Sequence, residues 1–456
     1  MNDTITALAT AWGYSAIGII RVSGPDAHKL TDSIFKPHNQ SSESFSPEPF
    51  RMYRGNLINP QTSEPYDDVM ICYMKTPRSY TGENMVEIYC HGSPVIIQMT
   101  LKYYQGLGAS MAEPGEFTRR AFLNGKMDLL QAESVNQVIH SRTVQSEKAA
   151  YRILQGSLSR VVNTLKDDVV HLLSQLHANI DFSAEMEGIP VGEWKKTSSL
   201  VRAGVQRLLS SYEYGSRLQS GLNVVIAGAP NAGKSSLFNA LLVEDRALVT
   251  SIPGTTRDTL REIINIRGIP ITLMDTAGLR HTSDMVEKMG IDLTRKVLDE
   301  ADLVLVLLDG GRPFSSEDKK VLKMVNHKPQ IVVLNKADIL NTKRGEQYSE
   351  MFPEAVSVSS MTGEGLEKLN DRIYSTMITV QPQSSEVAIT SVRHKIALES
   401  ALKALDEFQD GLENGLGEEL LLVDLQKVLN DLQLITGEIA TDDILDRIFD
   451  QFCLGK

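Results

Sequence analysis

Residues 223–235 read Asn-Val-Val-Ile-Ala-Gly-Ala-Pro-Asn-Ala-Gly-Lys-Ser, and this stretch decides the fold of the middle of the chain. The apolar run Val224-Val-Ile-Ala227 predicts a short buried strand. It enters a full GxxxxGKS loop, Gly228 to Ser235, and a helix is predicted from Ser236. Glycines let the backbone turn tightly, so its N–H groups can converge on phosphate oxygens. The helix N-terminus adds partial positive charge. Asn231, Ala232, Gly233, Lys234, Ser235 and Ser236 are therefore expected against a nucleotide. Lys234 is expected at the β/γ-phosphates and Ser235 on Mg²⁺. A plain glycine turn before a helix does not account for the whole motif in this context.

Working outward, three further elements follow in order. Asp275-Thr276-Ala277-Gly278 comes straight after a predicted strand, Pro270 to Met274. Asp275 is expected to hold Mg²⁺ through water, and Gly278 to present its N–H to the γ-phosphate. Asn335-Lys336-Ala-Asp338 follows the predicted strand Gln330 to Leu334. Asp338 can accept from guanine N1–H and the 2-amino group, a pair that adenine lacks, and Asn335 can brace the pocket. Ser359, Ser360 and Met361 follow the predicted strand 355–358, and their backbone can donate to guanine O6. Thr255-Thr256-Arg-Asp258 begins about 20 residues past Ser235. Thr256 is the expected switch threonine, on Mg²⁺ and on the γ-phosphate. Together these imply a GTP-hydrolysing P-loop domain.

One position departs from regulatory GTPases, which carry a water-orienting glutamine after this Asp-Thr-Ala-Gly. Here it is Leu279, which cannot accept a hydrogen bond. Another side chain, a partner arginine or a monovalent cation must take over. Asn231 offers an amide oxygen near the phosphates, which suits a cation. Glu287 is a carboxylate that could reach the water indirectly; a solvated glutamate on a helix face is the commoner alternative.

The flanks are different in kind. Residues 1 to about 118 mix predicted strands (5–10, 18–22, 68–74, 86–90) with a predicted helix, 95–107, which reads as an α+β domain. From Pro114 the period becomes helical: a short helix at 116–123, then two or three helices over 129–180. A polar loop is expected from Glu185 to Lys196, then a helix over 198–219. Helical periodicity returns from Val392, with a last helix starting near Thr441. The expected organisation is multidomain: an N-terminal α+β domain (1–118), an α-helical domain in two parts (119–216 and 381–456), and an inserted α/β P-loop domain (217–380). Chain ends that lie close together tolerate such an insertion.

Composition bounds the function. The chain has 456 residues, 42% hydrophobic and 23% charged, with three cysteines and a formal charge of −12. The cysteines are too few and scattered for a disulfide framework or zinc site. The negative charge argues against non-specific coating of nucleic acid but allows a local basic patch. No apolar run reaches membrane-spanning length and no secretory signal is read, so a cytoplasmic protein without membrane insertion is expected.

With these residues in place, the whole chain resembles the tRNA-modification GTPase family called MnmE or TrmE. The marks lie outside the GTPase core: Ile19-Ile-Arg-Val-Ser-Gly24, Thr81-Gly-Glu83, Val86-Glu-Ile88 with His91-Gly92, Pro114-Gly-Glu-Phe117, Ala121-Phe-Leu-Asn-Gly-Lys126 with Gln131-Ala-Glu133, and Phe452-Cys-Leu-Gly-Lys456. The resemblance implies an N-terminal folate-binding and dimerisation domain, so a homodimer. It also implies a heterotetramer with an FAD-dependent partner, MnmG or GidA. The pair would place an aminomethyl or carboxymethylaminomethyl group on C5 of the wobble uridine of certain tRNAs. The one-carbon unit would come from 5,10-methylene-tetrahydrofolate, with 5-formyl-tetrahydrofolate as the alternative ligand. GTP hydrolysis would be stimulated by K⁺. By the same resemblance Asn231, Thr250, Ile252 and Thr255 match the K⁺ loop, with Thr250 and Thr255 beside the nucleotide. Ser235 and Thr256 match Mg²⁺ ligands, and Glu287 matches the residue that positions water through a second water. Glu287, Lys234 and Asn231 are thus the catalytic candidates. Arg21, Glu87, Lys126 and Lys456 match folate contacts; a surface salt bridge is the alternative for each. Cys453 is a candidate near folate or a packing residue, and Arg257 and Arg280 are catalytic or structural.

Two stretches depart from the family. Ala11-Trp-Gly-Tyr-Ser15 stands where Pro-Pro-Gly-Arg-Gly is usual, and Ser359-Ser360-Met361 where Ser-Ala-Lys is usual. Two other readings compete. A ribosome-assembly GTPase would add a basic RNA-binding module, which these flanks do not resemble. A non-enzymatic switch scaffold would not need the complete phosphate, Mg²⁺ and guanine set.

Overall fold

The computed structural model describes residues 3–38, 45–181, 190–245, 261–275, 297–378 and 388–456. Its strands are β1 (Ile5–Leu8), β2 (Ser15–Ser23), β3 (Phe35–Pro37), β4 (Met52–Ile58), β5 (Pro65–Met74), β6 (Met85–Gly92), β7 (Ser110–Met111), β8 (Leu222–Gly228), β9 (Arg261–Ile266), β10 (Ile269–Asp275), β11 (Leu303–Asp309), β12 (Gln330–Asn335) and β13 (Val356–Ser357). The helices used below are α1 (Ala27–Asp32), α2 (Pro94–Gly106), α3 (Glu116–Leu123), α4 (Leu129–Ile139), α5 (Val144–Leu154), α6 (Ser157–Asp181), α7 (Val191–Ser210), α8 (Tyr212–Ser220), α9 (Lys234–Asp245), α10 (Ser316–Val325), α11 (Thr342–Met351), α12 (Leu366–Met377), α13 (Val392–Glu413), α14 (Glu418–Thr436) and α15 (Asp442–Phe449). Contacts divide the chain into two compact units: residues 1–136, 154–163 and 432–456 in one, and 137–153 with 164–431 in the other.

The first unit is built on a seven-stranded sheet in the order β3-β4-β5-β6-β2-β1-β7. Alternation sets its two faces. Ile20 and Val22 of β2, with Val86 and Ile88 of β6, are buried against Ile97, Leu101 and Tyr104 of α2. Arg21, Glu87 and Tyr89 therefore share the other face, and Arg21 lies directly opposite Glu87 in the antiparallel register. Strand β4 escaped the periodicity because Gly55 interrupts its apolar alternation. A Cβ there would stand 2.2 Å from Lys36 O, so only glycine allows β3 to pair so closely. Helix α15 and the tail belong to this unit. Phe449 and Phe452 pack with Leu129, Ala132 and Val135 of α4.

The second unit holds a six-stranded sheet, β13-β12-β11-β8-β10-β9, parallel but for the edge strand β9. Strand β11, Leu-Val-Leu-Val-Leu-Leu-Asp, is buried at every residue, as a strand covered on both faces must be. The chain visits β10 on one side of β8 and then β11 on the other, so the carboxyl end of β8 is a topological switch point, where open α/β sheets bind ligands. The helices before and after this sheet pack on each other. Arg202 of α7 pairs with Asp406 of α13 at 2.6 Å, and Gln409 donates to Ser198 at 3.2 Å. Two expectations are corrected. The polar stretch 185–196 is helical from Val191, because Trp194, only 2% exposed, is drawn into the core. The expected single helix over 198–219 breaks at Ser211 into α7 and α8.

Candidate functional site

Four strand ends converge at the switch point. The register sets Gly228 of β8 beside Leu307 of β11, and Asp309 of β11 beside Asn335 of β12, while Asp275 closes β10 beside Ile226. The loop after β8 is held open by two left-handed residues, Asn231 at φ 62° and Gly233 at φ 93°. A Cβ on Gly233 would sit 2.3 Å from Asn335 Nδ2. The Lys234 ammonium donates to the carbonyls of Gly228 and Ala229, each at 3.0 Å, so the amine is aimed over its own loop.

Asn335 ties the segment that begins at Ser359 to this loop. It is 1% exposed, its Nδ2 donates to Ala232 O at 3.1 Å, and its Oδ1 accepts from Ser360 N–H at 3.2 Å and Ser360 Oγ at 2.8 Å. Ser359 Oγ donates to Asp338 Oδ1 at 2.7 Å. Asp338 Oδ2 has no partner among the described residues and the side chain is exposed, so an acceptor remains for a base edge. Met361 is 85% exposed, so its side chain is not packed against the site. Lys336, left-handed at φ 64°, donates to Asn231 O at 3.1 Å and to Asp309 Oδ2 at 2.8 Å.

This donor set suits a nucleotide triphosphate: an amine, backbone N–H groups and the Ser235 hydroxyl meet at a helix N-terminus. The exposed carboxamide of Asn231 has no partner among the described residues, which suits an oxygen ligand to a cation. Thr250, Ile252, Thr255, Thr256, Arg257, Thr276, Ala277, Gly278, Leu279, Arg280 and Glu287 lie outside the described residues.

A second cluster forms in the first unit. Arg21 Nε meets Glu87 Oε1 at 2.8 Å, and Arg21 Nη1 donates to Gly455 O at 3.2 Å. Tyr89 OH donates to Glu87 Oε2 at 2.7 Å, so both carboxylate oxygens are held. Burial and the Glu87 carboxylate push the Tyr89 phenol up to about 12, which keeps it a donor. Arg21 also lies 5.5 Å from the Tyr80 ring centre. Lys456 is half-buried; burial, then the like charge of Arg21, holds its ammonium below the ordinary lysine value. Cys453 is exposed, and its carbonyl accepts from Lys456 N–H at 3.3 Å. Lys126 is set apart beyond α3, its ammonium donating to Pro77 O, on the turn before Tyr80, at 2.8 Å. A carboxylate flanked by cations suits a pterin edge and an anionic tail.

Sequence reasoning missed several groups. Asp309 holds Lys336, and a lone aspartate ending an apolar strand was the available signal. Tyr89 shares a face with Glu87 by simple alternation. Arg120 explains two motif residues at once, Glu83 and Glu116. It is 1% exposed and meets Glu116 at 2.7 Å, Asp3 at 3.0 Å and Glu83 at 3.4 Å, while Ser23 Oγ joins Thr81 at 2.7 Å and Glu83 at 2.8 Å. Gly115, at φ 69°, lets this corner reach Phe449, and the adjoining Phe117 N–H donates to Lys456 O at 3.1 Å.

Comparison with known proteins adds a further finding. The family profile described as "GTP-binding protein TrmE N-terminus" matches residues 4–126, and that described as "MnmE helical domain" matches residues 129–453. A protein of Carboxydothermus hydrogenoformans named tRNA modification GTPase MnmE is 40% identical, over 100% of each chain. Its namesake in Geobacter sulfurreducens is 42% identical, again over 100% of each. Among solved structures, an Era variant of Aquifex aeolicus bound to GDP·AlF4⁻ is 27% identical, covers 40% of this chain and 66% of its own, and has a TM-score of 0.29.

Proposed function

The chain belongs to the family of tRNA modification GTPases MnmE, and from that premise we propose that it hydrolyses GTP to drive modification of the wobble uridine of certain tRNAs. The reaction is addition of an aminomethyl or carboxymethylaminomethyl group to C5 of that base. The protein works as a homodimer in a heterotetramer with the FAD-dependent protein MnmG/GidA, with 5,10-methylene-tetrahydrofolate as one-carbon donor. The domains are an N-terminal folate-binding domain, a helical domain interrupted in sequence, and the inserted GTPase domain. No helix of the described residues is long and apolar enough to cross a membrane; the working place is the cytoplasm.

The observation that carries the GTPase reading is the Asn335 clamp, which holds the phosphate loop and the guanine loop in one network. Asp338 accepts from guanine, Ser359 holds it in place, and Lys234 and the loop N–H groups bind the phosphates. Ser235 and Thr256 would hold Mg²⁺, and Asp275 would hold it through water. Asn231, Thr250, Ile252 and Thr255 hold K⁺, which when bound supplies positive charge where negative charge develops. Leu279 cannot orient the attacking water, so that task passes to Glu287 through a second water. Arg21, Glu87, Lys126 and Lys456 bind the folate, with Cys453 nearby.

The test is GTP turnover of the full chain. Turnover rises several-fold in K⁺ over Na⁺, and Asn231→Ala removes that difference. Equal turnover in the two salts would refute the cation role. In cells, Lys234→Ala abolishes the modified wobble nucleoside in mass analysis of tRNA. An intact nucleoside in that variant would remove GTP hydrolysis from the modification.

A further inference from the structure

Before Tyr80 the chain makes a tight turn, Lys75-Thr-Pro-Arg78, closed by Arg78 N–H donating to Lys75 O at 3.0 Å. Lys126 reaches over from beyond α3 and caps the turn at Pro77 O. Lys75, Arg78 and Lys126 are all exposed. Neither the Lys75 nor the Arg78 side chain has a hydrogen-bond or ion-pair partner among the described residues, and Lys126 meets only a neutral carbonyl. Lys75 and Arg78 on the turn and Lys126 over it therefore bring together three positive charges with no ion-pair partner among the described residues, on a chain whose formal charge is −12.

The turn is built rather than loose. Thr76 Oγ1 donates to Gly82 O at 2.7 Å, Ser79 Oγ to Glu83 O at 2.5 Å, and Asn124 Nδ2 to Thr81 O at 2.7 Å. Gly82, at φ 82°, packs against Asn124 and the Lys126 stem. Two residues beyond Arg78, the Tyr80 ring lies beside Arg21, so the cationic turn is continuous with the Arg21–Glu87 cluster. A fixed site for one carboxylate and a pterin edge thus leads outward onto an uncompensated cationic step.

We propose that this turn binds the γ-linked oligoglutamate tail of a reduced folate held at Arg21 and Glu87, so that the protein prefers polyglutamylated folate over the monoglutamate. The inference rests on the folate reading above and deepens it. Each added γ-glutamyl residue brings one more free carboxylate, and Lys75 and Arg78 are the groups available to meet it. A nucleic-acid backbone is the less suitable occupant. It presents a long row of phosphates and calls for a stripe of cations, whereas the charge here is confined to one turn.

The experiment is calorimetric titration of the full chain with 5-formyl-tetrahydrofolate in its monoglutamyl and pentaglutamyl forms, at low and high salt. The unaltered protein binds the longer form about tenfold tighter at low salt, the size expected of two solvent-exposed charge contacts, and the gap narrows as salt rises. The double variant Lys75→Ala, Arg78→Ala binds both forms with the wild-type monoglutamyl affinity. In the charge-reversed pair Lys75→Glu, Arg78→Glu the order inverts. Equal affinities in the unaltered protein overturn the proposal, as does a preference that survives the double variant. If the unaltered protein shows no preference and the double variant instead loses retention of tRNA, the turn belongs to the phosphate backbone. If neither folate binds, the folate reading itself falls and the tail site with it.

Discussion

Replacing Asn335 by alanine isolates what the clamp does in the absence of nucleotide. The side chain makes three hydrogen bonds: one to Ala232 O at 3.1 Å, and two from Ser360 at 3.2 and 2.8 Å. Ala232 is fully buried, so water does not replace the lost partner there, while Ser360 is half-exposed and recovers part of its loss. At about 1 kcal/mol per hydrogen bond, with a surcharge for the buried carbonyl, the variant loses about 2 to 3 kcal/mol of local stability. Because a multidomain chain does not unfold in two states, the assay is amide hydrogen exchange rather than a single melting point. In nucleotide-free protein, the Ser360 amide exchanges about 30- to 150-fold faster in Asn335→Ala, the rate equivalent of that loss. The GDP affinity falls as well, since binding must now order both loops. Asn335→Asp keeps the acceptor for Ser360 and removes the donor to Ala232, so Ser360 protection largely returns. Asp338→Ala breaks one hydrogen bond of an exposed side chain and leaves exchange nearly unchanged while guanine selectivity is lost. If Asn335→Ala lost GDP binding with wild-type exchange at Ser360, the residue would act on the base directly and the bracing argument would be wrong.

Three other expectations are separable from this. Arg120→Met strands Glu116 and Glu83 at a buried site, so it destabilises the first unit by about 3 kcal/mol, read as a lower denaturation midpoint of that unit. Gly115→Ala puts a Cβ at φ 69° and 2.7 Å from Phe449 O; it costs about 2 kcal/mol and increases exchange in α15 and in α4, on which Phe449 packs. The His91 ring nitrogen sits 2.5 Å from Asp67, whose hydrogen bond and charge raise the imidazole above its ordinary 6.5. The contribution of that pair is therefore complete below 6.5 and is lost as pH rises through the higher folded value. An NMR titration places the His91 midpoint above 6.5, and Asp67→Asn brings it back down.

Local chemistry was legible directly. The strand before Gly228, the loop to Ser235 and the strand before Asn335 follow from apolar runs and glycine punctuation, because a buried parallel strand needs no distant information to be recognised. Helix α3 fell where its periodicity placed it. The errors have local causes too. Gly55 hid β4, and the polar residues around Trp194 hid the first turn of α7.

The sequence by itself determined the nucleotide-binding half-motifs and the alternation that sends Arg21 and Glu87 away from the core. Only the tertiary structure decided who meets whom. Register set Arg21 opposite Glu87, chain return brought Gly455 to Arg21 across 434 residues, and sheet order placed Asp309 where Lys336 could bridge it to Asn231. The reason is physical: spacing along a strand or helix fixes the direction of a side chain, but its partner depends on which strands pair and which termini pack. Those choices are made by burial summed over the whole unit, and no single motif carries them.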